Sequence, residues 1–194
     1  MRLKIVSVGE AVLRQQARPL TVAEIRSPEI QQLIQHMRET VNDAPGVGLA
    51  APQVGLPLQL AVIEDKQEYL AGLTAEQIAE RERQPVAFHV IVNPVLHRQS
   101  AGDVEFFEGC LSVPGFTAIV PRSPQVRVEC LDETGAARVI EATGWYARIL
   151  QHEIDHLHGT LYVDRMQSRT FCSLDIYARF WKNKTTAEVK AGLG

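Results

Sequence analysis

The residues best suited to chemistry are two histidines and a glutamate in the string QHEIDH at 151–156. His152 and His156 are four residues apart, which is one helical turn, so both imidazoles can bind one metal ion. Glu153 follows the first histidine, where its carboxylate can accept a proton from a water that the ion activates. The alternative is a chance match in which hydrogen bonds alone satisfy both imidazoles. The surrounding pattern is apolar, and two buried imidazoles without an ion would need other partners, which favours the metal.

A catalytic metal site also needs a third protein ligand and an open position. Downstream of the motif, the position for a third histidine is occupied by Tyr162, and the next carboxylates are Asp175 and Glu188, the second of them near the end of the chain. Upstream, Cys110 stands in a small-residue loop directly after a strand-like run. Its thiolate would complete a set of two imidazoles and one sulfur, so Cys110 is the favoured third ligand.

The other two cysteines lack this context. Cys130 alternates with Val126 and Val128, which is typical of a small core residue in a strand, and Cys172 has no neighbouring candidate ligand. Three cysteines without paired spacing argue against a disulfide framework and indicate a reducing compartment. We therefore expect a cytoplasmic protein.

The helix that must carry the histidines is predicted over residues 145–157. Apolar residues fall on more than one of its faces, so the helix and its histidines are expected to be buried. Gly159 is placed to end it. Short strand-like runs without βαβ alternation predict an α+β fold, with small mixed or antiparallel sheets packed around this central helix.

Other elements are predicted from their boundary residues. Ser27 is expected to cap a helix that begins at Pro28, carries an apolar face and stops within 42–46. A strand is expected over 86–92, ended by Asn93 and Pro94. Two later strands are expected to form a hairpin through the turn at 132–135.

We expect a single catalytic domain over residues 1–194. Residues 66–85 have the character of a surface insertion, in which Thr74 and Gln77 form a capping box that opens a short charged helix. A further amphipathic helix is predicted from Ser173 to about residue 182. Residues 184–194 are small and polar and are predicted to be a flexible tail.

Composition bounds the class of protein. The chain has 194 residues, 45% apolar and 22% charged, and a formal net charge of -3. These values are typical of a globular domain and show no bias towards polyanions, so direct binding of nucleic acid is not expected. No signal peptide or transmembrane stretch is recognisable, and no membrane association is expected.

Three motifs together resemble those of the peptide deformylases. They are GVGLAAPQVG at 46–55, EGCLS at 108–112 and QHEIDH at 151–156. Their order and approximate separation are those of that family, and the resemblance extends from about residue 5 to 171. The insertion and the Gly144-Trp145 pair are more similar to the organellar, type 1A branch than to the commonest bacterial one. The fold and activity of that family are therefore expected here.

The resemblance implies a metal site and a proton-transfer group. Cys110, His152 and His156 would bind the ion, usually ferrous iron, Fe2+, for which Zn2+, Ni2+ or Co2+ can substitute. Glu153 would be the general acid and base. The ligand set by itself accepts any of these ions, so the native metal is not fixed by the sequence.

The resemblance also implies residues that contact the substrate. The Gln53 side chain and the Leu111 backbone amide would hydrogen-bond the formyl oxygen, and the backbone around Gly48 would pair with the peptide. Without the flanking motif, Gln53 would be interpreted as an exposed turn residue. Three residues would lie near the methionine pocket: Val47, Trp145 and Ile149. Thr117 stands where many bacterial relatives carry an arginine, which leaves contacts beyond methionine open.

The function implied is removal of the formyl group from the initiator methionine of new polypeptides, which would be met at the ribosome exit. The cell compartment would be the bacterial cytoplasm, or an organelle if the chain is a trimmed form. Two alternatives remain: a zinc peptidase that cleaves internal bonds, and a non-catalytic metal-binding module. Gly46 and Gly48 could also indicate a phosphate loop, but the third glycine and the preceding strand are missing.

Overall fold

The computed structural model describes residues 1–44 and 46–194. The predicted end of the first long helix, at 42–46, includes Pro45, which lies outside the described residues. Among the described helices, none combines the length and the apolar character needed to cross a bilayer.

The strands form two antiparallel sheets. Their bounds are β1 Gly48–Ala50, β2 Leu60–Asp65, β3 Val86–Arg98, β4 Val104–Cys110, β5 Val113–Arg122, β6 Gln125–Leu131, β7 Ala137–Thr143 and β8 Cys172–Ser173. One sheet has the order β1-β2-β3-β6-β7 and the other β4-β5-β8. The predicted α+β class with small sheets is therefore confirmed.

Helices lie between and beside these strands. Their bounds are α1 Val22–Ile25, α2 Pro28–Asp43, α3 Ala75–Glu80, α4 Gly144–Leu157, α5 Tyr162–Arg165, α6 Leu174–Ile176 and α7 Thr186–Leu193. Short 3-10 turns cover Ala11–Arg14, Ala51–Val54, Gln67–Leu70 and Ser168–Thr170, and a π-helical turn covers Tyr177–Trp181. The helical segment predicted from Ser173 thus divides into α6 and the π turn.

Helix α2 begins where the sequence predicts. The Ser27 hydroxyl accepts a hydrogen bond from the Ile30 amide, and Pro28 occupies the first turn, where its missing N–H costs nothing. Ile34, Met37 and Val41 are buried along one face of the helix, as the apolar spacing predicts. That face packs against the five-stranded sheet, so α2 closes one side of the core.

Strand β3 corrects one prediction, because it does not end at Asn93 and Pro94 but runs on to Arg98. The register of the ladder with β6 shifts between Val92 and Val95, so Asn93 and Pro94 form a bulge inside the strand. Asn93 adopts a positive φ of 50°, and its side-chain amide bonds the backbone N–H and C=O of Leu20. These bonds replace the ladder contacts that the bulge interrupts.

Helix α4 is buried between the two sheets. Its apolar residues Leu150, Ile154 and Leu157 join the core of the five-stranded sheet. On the side of the three-stranded sheet, Arg148 donates to the backbone oxygens of Val120 and Val104 at 2.9 and 2.7 Å. The predicted burial is confirmed for most of the helix, including His156, whereas Trp145, Tyr146 and His152 are partly exposed. One of the buried faces is buried through polar contacts.

The two segments at 66–85 and 184–194 have regular structure. Thr74 and Gln77 make the predicted capping box at the start of α3. The segment predicted as a flexible tail contains α7, in which Val189 is fully buried and Lys190 pairs with Glu105. The mobility of the tail and the surface-insertion character of 66–85 stay predictions.

The end of α4 yields a stability prediction. Gly159 has a φ of +70°, and a Cβ there would lie 2.7 Å from the backbone carbonyl of Arg14. Both strain and overlap oppose a side chain, so Gly159→Ala should lower the free energy of unfolding by about 2–4 kcal/mol, measured by urea denaturation. Gly72→Ala is the control, since a Cβ there meets nothing within 4 Å, and its effect should stay below about 0.5 kcal/mol. Equal effects for the two variants would contradict the close approach.

Candidate metal centre and active site

Three side chains converge where β4 ends against α4. Cys110 is the last residue of β4, next to a register shift in the ladder with β5. His152 and His156 lie one turn apart on α4, with ring centroids 5.0 Å apart. One ligand atom from each of the three residues falls within 4.8 Å of the other two, and Cys110 Sγ lies 3.3 Å from His156 Nε2.

This cluster fits a divalent transition metal. For an ion held tetrahedrally by one sulfur and two imidazole nitrogens, with metal–ligand bonds of about 2.3 and 2.1 Å, neighbouring ligand atoms are about 3.5 Å apart. The observed sulfur–nitrogen separation is close to that spacing. Tyr162, which replaces a possible third histidine, instead stacks on His152 with ring centroids 6.4 Å apart. The upstream cysteine therefore completes the cluster.

A buried carboxylate orients the first histidine. Glu108 accepts from Nδ1 of His152 at 3.0 Å, from Arg122 at 2.9 and 3.0 Å, and from Arg148 at 2.6 Å. Burial alone would raise the pKa of the Glu108 carboxyl, but the hydrogen bond from His152 and the Arg122 guanidinium hold it well below its usual range. An anionic acceptor keeps the proton on Nδ1, which leaves the Nε2 lone pair free for the ion.

A second carboxylate extends this network along the helix. Asp155 accepts from Arg122 and from both nitrogens of the Arg165 fork, the latter at 2.6 and 2.7 Å. The Arg122 and Glu108 side chains are almost completely inaccessible to solvent. Each of these buried charges has a partner of opposite charge. The attraction between the partners offsets the desolvation free energy that each charge would cost alone.

Glu153 lies against the backbone of β1. A Cβ on Gly48 would overlap the Glu153 carboxylate, so a side chain there would have to displace Glu153. Oε2 of Glu153 is buried and bonded to no atom of the described residues. Burial raises the pKa of Glu153 to about 7, while His152 nearby opposes the rise. A carboxyl group with such a pKa can exchange protons near neutrality.

Gln53 is held with its amide nitrogen towards the cluster. Its Oε1 accepts from the Ala50 amide at 2.9 Å, which orients the group. Its Nε2 lies 3.3 Å from Ser112 Oγ and 3.5 Å from Cys110 Sγ. Gln53 is 2% exposed, so the alternative of a solvent-exposed turn glutamine is wrong.

A cavity of about 450 Å³ opens beside these groups. Its lining includes the predicted substrate-contacting residues Val47, Gly48, Gln53, Leu111, Trp145 and Ile149, together with Cys110, His152 and Glu153. Apolar side chains form most of the wall, and the polar groups gather at the cluster. Such a lining suits an apolar side chain attached to a polar reacting group.

The remaining residues singled out by sequence lie elsewhere. Cys130 is buried in the core of the five-stranded sheet, as predicted, and Cys172 lies on β8. Thr117 is buried and donates its hydroxyl to the Glu108 carbonyl at 2.7 Å, so its side chain is engaged inside the sheet. Glu188 caps α7 through Thr185, which removes it as a candidate ligand.

Sequence reasoning missed the groups that support the cluster. Glu108, Ser112 and Asp155 belong to the recognised motifs but have no role assigned to them there, and Arg122 and Arg148 are not singled out. One signal was available: Arg148 and Asp155 are charged residues in a helix whose pattern is otherwise buried, and such charges need partners. The partner of each could not be read from the pattern, because it lies on another element.

Comparisons with known proteins identify the family of the chain. The family model described as polypeptide deformylase matches residues 2–171. Peptide deformylase 1A, chloroplastic/mitochondrial, of Arabidopsis thaliana is 48% identical over 89% of this chain and 64% of its own length. Peptide deformylase 1 of Streptomyces coelicolor is 44% identical over 99% of this chain and 86% of its own. The chain thus spans less than two thirds of the plant relatives it matches.

A solved structure shares the fold. The Met-Ala-Ser-bound class I type b peptide deformylase from Acinetobacter baumannii superposes with a TM-score of 0.76 at 31% identity, covering 86% of this chain and 99% of that one. The predicted resemblance, with organellar forms among the relatives, is confirmed. The chain belongs to the polypeptide deformylase family.

Proposed function

We propose that this protein is a metal-dependent hydrolase that removes the formyl group from the initiator methionine of newly made polypeptides. The observation that carries the proposal is the convergence of Cys110, His152 and His156 beside a cavity that also presents Glu153 and Gln53. We further propose that residues 1–194 act as one catalytic domain and that the native ion is Fe2+. Zn2+, Ni2+ or Co2+ could replace it in this ligand set.

The chain's own residues account for the proton movements. When bound, a divalent ion lowers the pKa of water towards neutrality and polarises the formyl oxygen. Glu153 takes the proton of the attacking water on its free Oε2 and delivers it to the amine nitrogen that leaves. Its raised pKa, about 7, suits both directions of transfer.

Two donors stabilise the negative charge that develops on the formyl oxygen. The Gln53 Nε2 group is aimed at the cluster and fixed from behind by the Ala50 amide, so it needs no reorientation. The Leu111 backbone amide is the second donor, one residue beyond Cys110. Each such donor is worth about 3 kcal/mol of transition-state stabilisation.

The substrate is bound through its first side chain and its backbone. Val47, Trp145 and Ile149 offer an apolar wall for methionine. β1 is an edge strand whose partner is β2, so an extended peptide can pair with the backbone around Gly48. Thr117 supplies no charge beyond methionine, since its hydroxyl is bonded inside the sheet.

The substrate would be met as the nascent chain leaves the ribosome, in a bacterial cytoplasm or in an organelle after trimming. No observation favours the internal peptidase or the non-catalytic module. A peptidase of that kind would take a ligand downstream of α4, and neither Tyr162 nor Glu188 is placed to serve.

The direct test is formate release from formyl-Met-Ala-Ser. Protein kept anaerobic, because a thiolate on iron is open to oxidation, and loaded with Fe2+ or Ni2+ should release formate from this peptide. Unblocked Met-Ala-Ser should remain intact. Cleavage of an internal bond would support the peptidase instead, and bound metal without turnover would support the module.

Removal of the sulfur ligand should abolish tight metal binding. Cys110→Ala leaves two imidazoles, so we expect affinity for Ni2+ or Co2+ to fall at least about 100-fold, since even indirect supports of a site are worth about 10- to 100-fold. Metal content after dialysis measures this. Cys172→Ala removes a thiol that does not line the cavity and should keep full metal content; the same content in both variants would refute the ligand assignment.

The oxyanion donor can be tested separately. Gln53→Ala should lower kcat about 100- to 1000-fold with metal content and KM little changed, because its bond forms with charge that develops in the transition state. Steady-state formate assays give both constants. Gln35→Ala, an exposed position on α2, is the control. If kcat of Gln53→Ala stayed near that of the parent, another donor would have to hold the oxyanion.

A further inference from the structure

The end of the segment at 66–85 packs tightly on the first turn of α4. The Trp145 amide donates to the Arg81 carbonyl at 2.8 Å. Gly144 has a φ of +55°, and a Cβ there would lie 2.6 Å from that same carbonyl and 2.5 Å from the Glu82 Cβ. The two backbones therefore touch, and the position of the segment is coupled to the position of Trp145.

Two arginines of this segment also hold the Trp145 indole. The guanidinium carbons of Arg81 and Arg83 lie 5.3 and 5.2 Å from the ring centroid, which is within cation–π range. Arg83 is fixed by a bidentate pair with Asp65, both bonds being 2.8 Å and the carboxylate fully buried. The cation beside the indole is thus anchored to the end of β2.

A third arginine near the indole has a different anchor. Arg148 lies 5.8 Å from the Trp145 centroid, but Glu108 and the Val120 carbonyl already bind its guanidinium. Its place is set by the network behind the metal cluster. Arg81 and Arg83 therefore provide the contacts to the indole that depend on the segment at 66–85.

The indole borders the same cavity as the metal cluster. Trp145, Ile149 and His152 follow one another along α4, and all three line the cavity. His152 lies seven positions after Trp145 in the helix, which is about 10 Å along the axis. The indole thus stands about two helical turns from the first metal ligand, on the wall beside which the substrate's first side chain, carried by the α-carbon next to the formylated nitrogen, would lie.

We propose that Arg81 and Arg83 are positioning residues that set the depth of the pocket for the substrate's first side chain by fixing the Trp145 indole. The inference rests on the proposed function, since it names what selects methionine within that site. In this role the segment at 66–85 determines specificity without touching the substrate.

Side-chain length selectivity is the readout. The assay compares kcat/KM for formyl-Met-Ala-Ser with that for formyl-ethionyl-Ala-Ser, whose side chain is one methylene longer. A closed pocket discriminates a single methylene by about 10-fold or more. We expect Arg81→Ala combined with Asp65→Asn/Arg83→Ala to reduce this ratio about tenfold. Asp65 is changed with Arg83 so that no buried carboxylate is left unpaired.

The split between kinetic constants adds a second readout. Because the ligands, Glu153 and Gln53 are untouched, kcat for the methionine peptide should stay within about threefold while its KM rises. Arg83→Lys keeps the cation without the fork to Asp65, and should restore part of the ratio. It also remains informative if the triple variant does not fold. Arg127→Ala, a surface arginine paired with Glu129, is the matched control.

Fluorescence gives a readout that does not depend on turnover. The chain has two tryptophans, so Trp181→Phe leaves Trp145 as the reporter. In this background, loss of Arg81 and Arg83 should shift the emission to longer wavelength and increase quenching by acrylamide, while Arg127→Ala should do neither.

The outcomes distinguish failure of the positioning role from failure of the proposed function. A lowered ratio with a red-shifted Trp145 emission supports the positioning role. An active parent whose arginine variants keep both its ratio and its emission overturns the inference alone. A metal-loaded parent that releases no formate from either peptide overturns the proposed function and, with it, the inference.

Discussion

The Glu108 carboxylate is the group on which the rest of the site depends. It receives hydrogen bonds from Arg122 on its own sheet and from Arg148 and His152 on α4, all in the interior. Removing one partner from a buried ion pair costs about 3–5 kcal/mol, against about 5–15 kcal/mol for a whole domain. Since Cys110 lies two residues further along β4, the same contact sets the thiol against the imidazoles. The same contacts of Glu108 therefore stabilise the fold and fix the geometry of the metal ligands.

The sequence predicts the residues that carry out the chemistry better than it predicts the residues that hold them in place. His152, Glu153 and His156 are recognisable because helical spacing brings them together, and Cys110 is the favoured third ligand because the sequence after the helix offers no suitable one. Glu108 was not assigned a role, because its partners lie 14, 40 and 44 residues away along the chain. Periodicity describes which face a residue occupies within its element. It carries no information about which charge on another element will meet it.

The fold shows the same division. Boundaries set by local chemistry, such as the Ser27 cap of α2, are where the sequence predicts them. Strand β3 runs past Asn93 because that side chain bonds the distant Leu20 backbone, which no local rule can anticipate. Helix α7 has small and polar residues and buries Val189 against the body of the protein. The small and polar composition by itself predicts a tail, because the sequence does not show that Val189 finds a buried position against the rest of the protein.

The pair formed by Asp65 and Arg83 has a consequence for the length of the chain between them. The two residues are 18 positions apart, and their bonds close the segment at its base. The entropy of closing a loop grows slowly with length, by about 0.6 kcal/mol for each doubling. The residues before Arg81 could therefore be shortened or extended at little cost, provided that the base and the contact of Arg81 with Trp145 are kept. In protein engineering, the base and Arg81 are the parts to conserve, and the exposed residues between them are a position where new sequence can be grafted.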